Sequence, residues 1–122
     1  MKNTPPTVYG IANCDTVRRA RAWLDAAGVT VSFHDFKRDG LPESSLDRWI
    51  AVVGCERLLN RKGTTWRRLD DAARATADST EGAAALMLAL PSLVKRPVVE
   101  WADGRVSVGF DPEYFSDRLR GA

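Results

Sequence analysis

The sequence predicts a single α/β domain, and three observations support this fold class. The chain has 122 residues, enough for one hydrophobic core but too few for two. A strand, a helix and a second strand follow one another near the amino end, which is the order of a parallel βαβ unit. Two strands around a tight turn and a last helix end the chain. We therefore expect a four-stranded mixed sheet with helices on both faces.

The first strand leads directly into a loop with a cysteine. Residues 8–11 form a short apolar run that predicts a strand, and the loop after it contains Cys14. A helix follows and stops at Gly28; its apolar face consists of Ala20, Trp23, Leu24 and Ala27. Cys14 therefore lies at a helix amino end, where free N–H groups and the helix dipole favour a thiolate, and Asp15 or Thr16 is available as a cap. The alternative is a cysteine that serves only as a small buried apolar residue.

A second strand follows this helix. Apolar Val29, Val31 and Phe33 alternate with polar residues, which predicts a half-buried strand. His34 falls on the polar side of the alternation. We interpret it as a surface or edge residue without a catalytic role.

Residues 40–90 are predicted to form a helical insert. Pro42 lies near the start of a helix that ends at Gly54, and Cys55 comes just after that end, where we interpret it as structural or incidental. Residues 58–69 form a donor-rich loop with a short helical turn, and residues 70–80 form a short helix or an exposed connection. Residues 83–90 form a further helix, which Pro91 stops.

The carboxyl end is predicted to form a hairpin and a helix. Residues 94–101 enter a third strand, Asp103 and Gly104 form the turn, and residues 105–108 form the fourth strand. Asp111 and Pro112 then provide an N-cap and a first helical residue.

Composition excludes several classes of protein. The net charge of +2 does not indicate nucleic-acid binding, and no run approaches the roughly 20 apolar residues of a membrane span. Residues 1–6 have no apolar segment and predict a flexible lead-in, so we expect a cytoplasmic protein. Two cysteines and one histidine are too few for a disulfide framework or a zinc site. We expect reduced thiols, no metal and no permanently bound cofactor.

Four separated motifs resemble those of one known family. They are Tyr9-Gly10-Ile11-x-Asn13-Cys14-Asp15-Thr16, Phe33-His34-Asp35-Phe36-Lys37, Leu59-Asn60-x-x-Gly63-Thr64-Thr65-Trp66-Arg67-x-Leu69 and Lys95-Arg96-Pro97. In this order they resemble the arsenate reductase ArsC/Spx family, in its YffB-like branch, over nearly the whole chain. The resemblance implies a thioredoxin-like, glutaredoxin-like fold for residues 1–122.

The resemblance also implies roles for individual residues. The family's catalytic cysteine falls on Cys14, its anion-binding arginine on Arg96, and its cis-proline on Pro97. A further basic residue for the anion or glutathione falls on Lys62 or Arg61, and the motif leaves both open. Asn13 and Thr16 are further candidates for the anion- or glutathione-binding site, and we expect them to orient the loop and cap the helix rather than to take part in the chemistry.

The sequence departs from the family at two places. Arsenate reductases have another arginine at the exit of the last strand, where this chain has Val108, Gly109 and Phe110. Spx regulators have a CxxC pair. In this chain Val17 stands where that motif has its second cysteine, so an internal disulfide at that site is excluded.

Two functions from different classes follow from the resemblance. The first is a monomeric thiol-dependent oxidoreductase that attacks an oxyanion or a thiol substrate through Cys14, with glutathione as co-substrate or glutaredoxin as partner. The second is a regulator without turnover that binds the RNA polymerase alpha subunit.

Overall fold

The computed structural model describes residues 5–120, and the chain divides into two compact units. The sheet unit contains residues 5–39 and 96–120, and the helical unit contains residues 40–95. Whether the two fold as a single domain stays a prediction. The predicted flexible lead-in lies largely outside the described residues. Pro6, however, is buried, and its carbonyl accepts a 3.0 Å hydrogen bond from the Ser32 amide.

The sheet unit is built on four strands in the order β2-β1-β3-β4. β1 (Thr7–Gly10) pairs in parallel with β2 (Ser32–Asp35) and antiparallel with β3 (Val98–Glu100), and β3 pairs antiparallel with β4 (Val106–Val108). The predicted four-stranded mixed sheet is therefore confirmed.

Two helices precede the helical unit in sequence, one between β1 and β2 and one directly after β2. α1 (Asp15–Ala26) connects β1 to β2, and Gly28 follows it with a φ of +76°. β2 begins three residues later than predicted because the Val29 amide donates to the carbonyl of Leu24 at the helix end instead of joining the sheet. α2 (Phe36–Asp39) is a single turn that the sequence analysis missed.

The helical unit contains five helices and a 3₁₀ turn. The helices are α3 (Glu43–Val53), α4 (Cys55–Leu58), α5 (Thr64–Arg67), α6 (Asp71–Thr76) and α7 (Thr80–Ala89), and the 3₁₀ turn is Pro91–Leu93. Pro42 is the N-cap of α3 rather than its first residue. Val94 was predicted to start the third strand but instead forms an isolated bridge with Leu59, and β3 starts only at Val98.

α8 (Pro112–Arg120) completes the sheet unit. Asp111 accepts a 3.1 Å hydrogen bond from the amide of Glu113, as expected for the residue before a helix. The buried core of this unit is formed by Val8, Ala20, Leu24, Val99, Trp101 and Phe115. In the described part of the chain, no helix is long and apolar enough to cross a membrane.

Candidate active site

Cys14 lies where the first strand passes into the first helix. β1 ends at Gly10, and Cys14 is the N-cap of α1, with an extended backbone (φ −107°, ψ 126°). Its carbonyl accepts a 2.9 Å hydrogen bond from the Arg18 amide, and its side chain is half-buried. The expectation that Asp15 or Thr16 caps this helix is wrong, because Cys14 itself occupies the capping position.

The surroundings of Cys14 favour its thiolate. Burial raises the pKa of the thiol, but the Val17 amide, the hydrogen bond and positive charge of Arg96, and the Thr16 amide together outweigh burial and lower the pKa below its ordinary value. These groups stabilise the thiolate relative to the neutral thiol, which favours nucleophilic reactivity of the sulfur.

A glycine in β1 allows the Val17 amide to reach this position. A Cβ atom on Gly10 would lie 2.7 Å from Cγ2 of Val17, closer than carbon atoms approach one another in proteins. Val17 is fully buried. The close approach of β1 to the first turn of α1 therefore requires glycine at position 10.

Arg96 reaches the sulfur from the other part of the sheet unit. It is half-buried, and the peptide bond between Arg96 and Pro97 is cis. The carbonyl of Pro97 accepts a 2.8 Å hydrogen bond from the amide of Gly109, which follows β4 and has a φ of +90°. The structure thus brings together Cys14, Arg96 and Pro97 with the amides of Thr16 and Val17 in one unit.

The side chains of Asn13 and Thr16 contribute less than expected. Asn13 is exposed on the loop, and Thr16 is half-buried. Thr16 acts on the sulfur through its backbone amide, which any residue at that position would provide. An anion-binding role for either side chain stays a prediction.

The helical unit distinguishes the two basic residues that the motif left open. Arg61 donates two hydrogen bonds to the carboxylate of Glu56, at 3.2 and 2.9 Å, and its guanidinium lies 4.9 Å from the centre of the Trp66 ring. Lys62 is exposed, and within residues 5–120 its ammonium forms no ion pair. Lys62 is therefore the more available cation of the two, although its role at an anion site stays a prediction.

Cys55 has different chemistry from Cys14. It is the first residue of α4, and its thiol donates to the carbonyl of Thr80 at 3.8 Å. Burial raises its pKa, and the nearby carboxylate of Glu56 raises it further. Both cysteines are free thiols. Both effects on the Cys55 pKa favour the protonated thiol, and the interpretation of Cys55 as structural stays a prediction.

His34 lies on β2, an edge strand of the sheet, which agrees with the expectation of a surface or edge residue, and its half-buried ring belongs to an aromatic cluster. Its ring centre is 5.0 Å from that of Tyr9 and 6.1 Å from that of Phe36. No group of three or more histidine, cysteine or acidic residues that could hold a metal occurs among residues 5–120.

The groups that act on the site through the backbone were not predicted from the sequence. The amide of Val17 and the close approach at Gly10 both act on the cysteine loop, and Gly109 holds Pro97. In the sequence these groups are signalled by glycine at the end of the first strand, Gly10, and by glycine directly after the last strand, Gly109.

The sheet unit holds a cysteine with a lowered pKa at a helix start and an arginine that precedes a cis-proline, on the four-stranded mixed sheet of a thioredoxin-like fold. Residues 9–117 match the ArsC family, and the chain belongs to that family.

Three related proteins support this assignment. The solved structure of the YffB protein shares 46% identity and a TM-score of 0.88 with this chain, covering 93% of this chain and 98% of its own. An arsenate reductase (ArsC) related protein from Brucella melitensis also shares 46% identity, with a TM-score of 0.73 and 96% of both chains covered. An uncharacterized protein of Haemophilus influenzae is 37% identical over 109 residues, which are 89% of this chain and 94% of that protein.

Proposed function

We propose that this chain is a thiol-dependent oxidoreductase in which Cys14 is the nucleophile and glutathione is the reductant. The observation that carries the proposal is the lowered pKa of Cys14. A half-buried thiol should have a raised pKa, yet two amides and Arg96 reverse the direction. A thiolate at neutral pH is what attack on a disulfide or on an oxyanion requires.

Glutathione is the proposed reductant because the chain offers no suitable second thiol at the site. Val17 occupies the position at which a CxxC motif would have its second cysteine. The raised pKa of Cys55 makes that residue a poor nucleophile. A covalent adduct on Cys14 therefore needs an external thiol to release it, in a compartment where glutathione keeps thiols reduced.

The reaction has a balanced form for each of the two substrate classes. With a disulfide, the Cys14 thiolate forms a bond to one sulfur and expels the other as a thiolate; glutathione then releases Cys14 and leaves as a disulfide. With arsenate, the thiolate displaces one oxygen, which leaves as water after protonation. Two glutathione molecules then supply the two electrons and leave as one disulfide while arsenic becomes trivalent. Water finally breaks the bond between Cys14 and arsenic, so that arsenite leaves and the thiol is regenerated.

Arg96 is proposed to bind the anionic part of either substrate. Its planar guanidinium can donate two parallel hydrogen bonds to a carboxylate of glutathione or to an oxyanion. Lys62 is the proposed second cation. The exit of β4 has no arginine, because Val108, Gly109 and Phe110 stand there. Glutathione carboxylates need fewer cations than an arsenate dianion, so a glutathionyl disulfide is the substrate to test first.

The pH dependence of Cys14 alkylation tests this proposal. Iodoacetamide modification is followed in a Cys55→Ser background, so that only Cys14 reacts, and Cys14→Ser serves as the control. We expect a midpoint clearly below the ordinary thiol value of about 8.5, and a higher midpoint in Arg96→Gln. Mass spectrometry after incubation with glutathione disulfide should find one glutathionyl group on Cys14. An assay with arsenate, glutathione and glutaredoxin forms the second arm.

An ordinary midpoint for Cys14 would contradict the oxidoreductase. That result would favour the alternative in which the chain binds the RNA polymerase alpha subunit without turnover. A low midpoint with a glutathionyl adduct but no arsenate reduction would restrict the substrate to disulfides.

A further inference from the structure

The position of Arg96 depends on the chain that follows it. The next residue is Pro97, which has no N–H and therefore only its carbonyl for backbone hydrogen bonding. That carbonyl accepts the 2.8 Å hydrogen bond from Gly109. The next residue along, Val98, is already a sheet residue paired with Val108. Among the hydrogen bonds of the β3–β4 hairpin, the one from the Gly109 amide to the Pro97 carbonyl is thus nearest to Arg96 along the chain.

Gly109 has a backbone conformation that residues other than glycine adopt only at a cost in free energy. Its φ is +90°, in the region that favours glycine. No atom lies within 4 Å of the place where a Cβ would stand, so a side chain at position 109 would meet no steric obstacle. The demand for glycine is therefore purely conformational. A residue that relaxes to a negative φ must reorient the strand exit and weaken the bond to Pro97.

We infer that Gly109 is a positioning residue: through its bond to the Pro97 carbonyl it holds the Arg96 side chain against the sulfur of Cys14. The inference rests on the proposed function, since it assigns a residue to the same thiolate site. It gives a role to the position at which arsenate reductases are expected to have an arginine. Here that position acts on the site through the backbone and supplies no charge of its own.

The same hairpin offers a matched control. Gly104, in the turn between β3 and β4, has a φ of +89° and no atom within 4 Å of its Cβ position. Its amide also donates to a backbone carbonyl, that of Trp101, at 2.9 Å. Alanine at position 104 or 109 therefore imposes the same backbone strain. Only position 109 is bonded to the residue that follows Arg96.

The experiment compares Gly109→Ala and Gly104→Ala in the full chain with the Cys55→Ser background. The temperature of thermal unfolding should fall by a similar amount in both variants. The alkylation midpoint of Cys14 should rise by about half to one unit in Gly109→Ala alone, which is a roughly three- to tenfold smaller thiolate fraction at a pH well below the midpoint. Gly109→Asn, whose side chain tolerates positive φ, should restore a midpoint close to that of the wild type.

A second measurement does not depend on the stability of a variant. In the wild-type protein, the amide NMR signal of Gly109 should move with the ionisation of Cys14, while that of Gly104 should not.

The outcomes separate this inference from the proposed function. An unchanged midpoint in Gly109→Ala, equal shifts in both alanine variants, or a Gly109 signal that ignores the titration would overturn the positioning role. If the wild-type midpoint is low and Arg96→Gln raises it, the proposed oxidoreductase function stands even when the positioning role of Gly109 is overturned. An ordinary wild-type midpoint would instead remove the proposed function.

Discussion

At the scale of single residues, the two thiols differ in what surrounds them. Cys14 is acted on by two amides and a guanidinium, which lower its pKa in spite of burial. Cys55 has burial and the carboxylate of Glu56 nearby, and both raise its pKa. Two residues of the same type and similar exposure therefore have opposite chemistry, because charge and hydrogen bonding decide the sign once burial is comparable.

This difference predicts opposite pH effects on stability. The folded pKa of Cys14 is depressed, so between that pKa and the unfolded value of about 8.5 the unfolded chain binds more protons. The stability of the wild type relative to Cys14→Ser should therefore increase as pH rises through this interval, and stay constant above it. Urea unfolding at a series of pH values measures the difference.

The effect of Cys55 should have the opposite sign. Its folded pKa is raised, so its contribution is complete below the unfolded pKa of about 8.5 and is lost as pH rises through the folded value. The stability of the wild type relative to Cys55→Ser should therefore decline at alkaline pH. Equal pH profiles for the two serine variants would contradict both assignments.

Gly10 is predicted to act on the same thiol through steric contact. Alanine at position 10 would push against Val17, so we expect a loss of about 1–3 kcal/mol of stability and a higher alkylation midpoint for Cys14. Chemical unfolding and the alkylation titration measure the two effects.

The double variant Gly10→Ala/Val17→Ala serves as the control for that prediction. It removes the opposing methyl groups and should cost less than the sum of the single changes. Additive losses would show that the two side chains do not oppose each other.

At the scale of elements, short helices in the helical unit depend on polar groups at their ends. Asp70 caps α6 through the Ala73 amide at 2.8 Å, and Ser79 caps α7 through the Gly82 amide at 3.0 Å. Arg74 donates to the carbonyl of Arg67, the last residue of α5, at 2.8 Å. Helices of one or two turns leave most of their backbone groups unpaired, so these contacts decide whether they form.

The junction between α6 and α7 predicts a severe effect for one small change. A Cβ on Gly82 would lie 1.7 Å from the carbonyl oxygen of Thr76, which is backbone and cannot rotate away. We expect Gly82→Ala to cost about 3 kcal/mol or more, at the upper end of overpacking changes.

Ser79→Ala is the matched control at that junction. It removes only the cap and should cost about 1 kcal/mol. Chemical unfolding compares the two, and a smaller loss for Gly82→Ala than for Ser79→Ala would contradict the packing.

At the scale of the whole molecule, each compact unit contains one cysteine. The sheet unit provides Cys14 with its amides and Arg96, and the helical unit holds Cys55 at the start of α4. One unit thus holds a thiol whose pKa is lowered and the other a thiol whose pKa is raised.

This separation predicts selective modification. Incubation of the wild-type chain with glutathione disulfide near neutral pH should modify Cys14 faster than Cys55, since a lower pKa gives a larger thiolate fraction. Peptide mass spectrometry over time measures both rates. In 6 M urea, where both environments are lost, the preference should disappear; a preference that survives unfolding would have another cause.

Much of the fold could be predicted from local patterns. The helix after Cys14 and the hairpin at Asp103 and Gly104 follow from apolar spacing and turn residues, which act over a few positions. The prediction that the third strand starts at Val94 is wrong because Val94 pairs with Leu59, a partner distant in sequence that no local pattern reveals. Arg61 and Lys62 were indistinguishable in sequence until the contact of Arg61 with Glu56 separated them.

The sequence by itself determined that a cysteine stands at a helix start after a short strand, and that an arginine and a proline precede a hairpin. Only the tertiary structure decided that the pKa of this sulfur is lowered. That property depends on the Val17 amide, admitted by Gly10, and on the guanidinium of Arg96. The physical reason is range: helix periodicity acts over neighbouring residues, whereas a pKa responds to charges and donors that are near in space and distant along the chain.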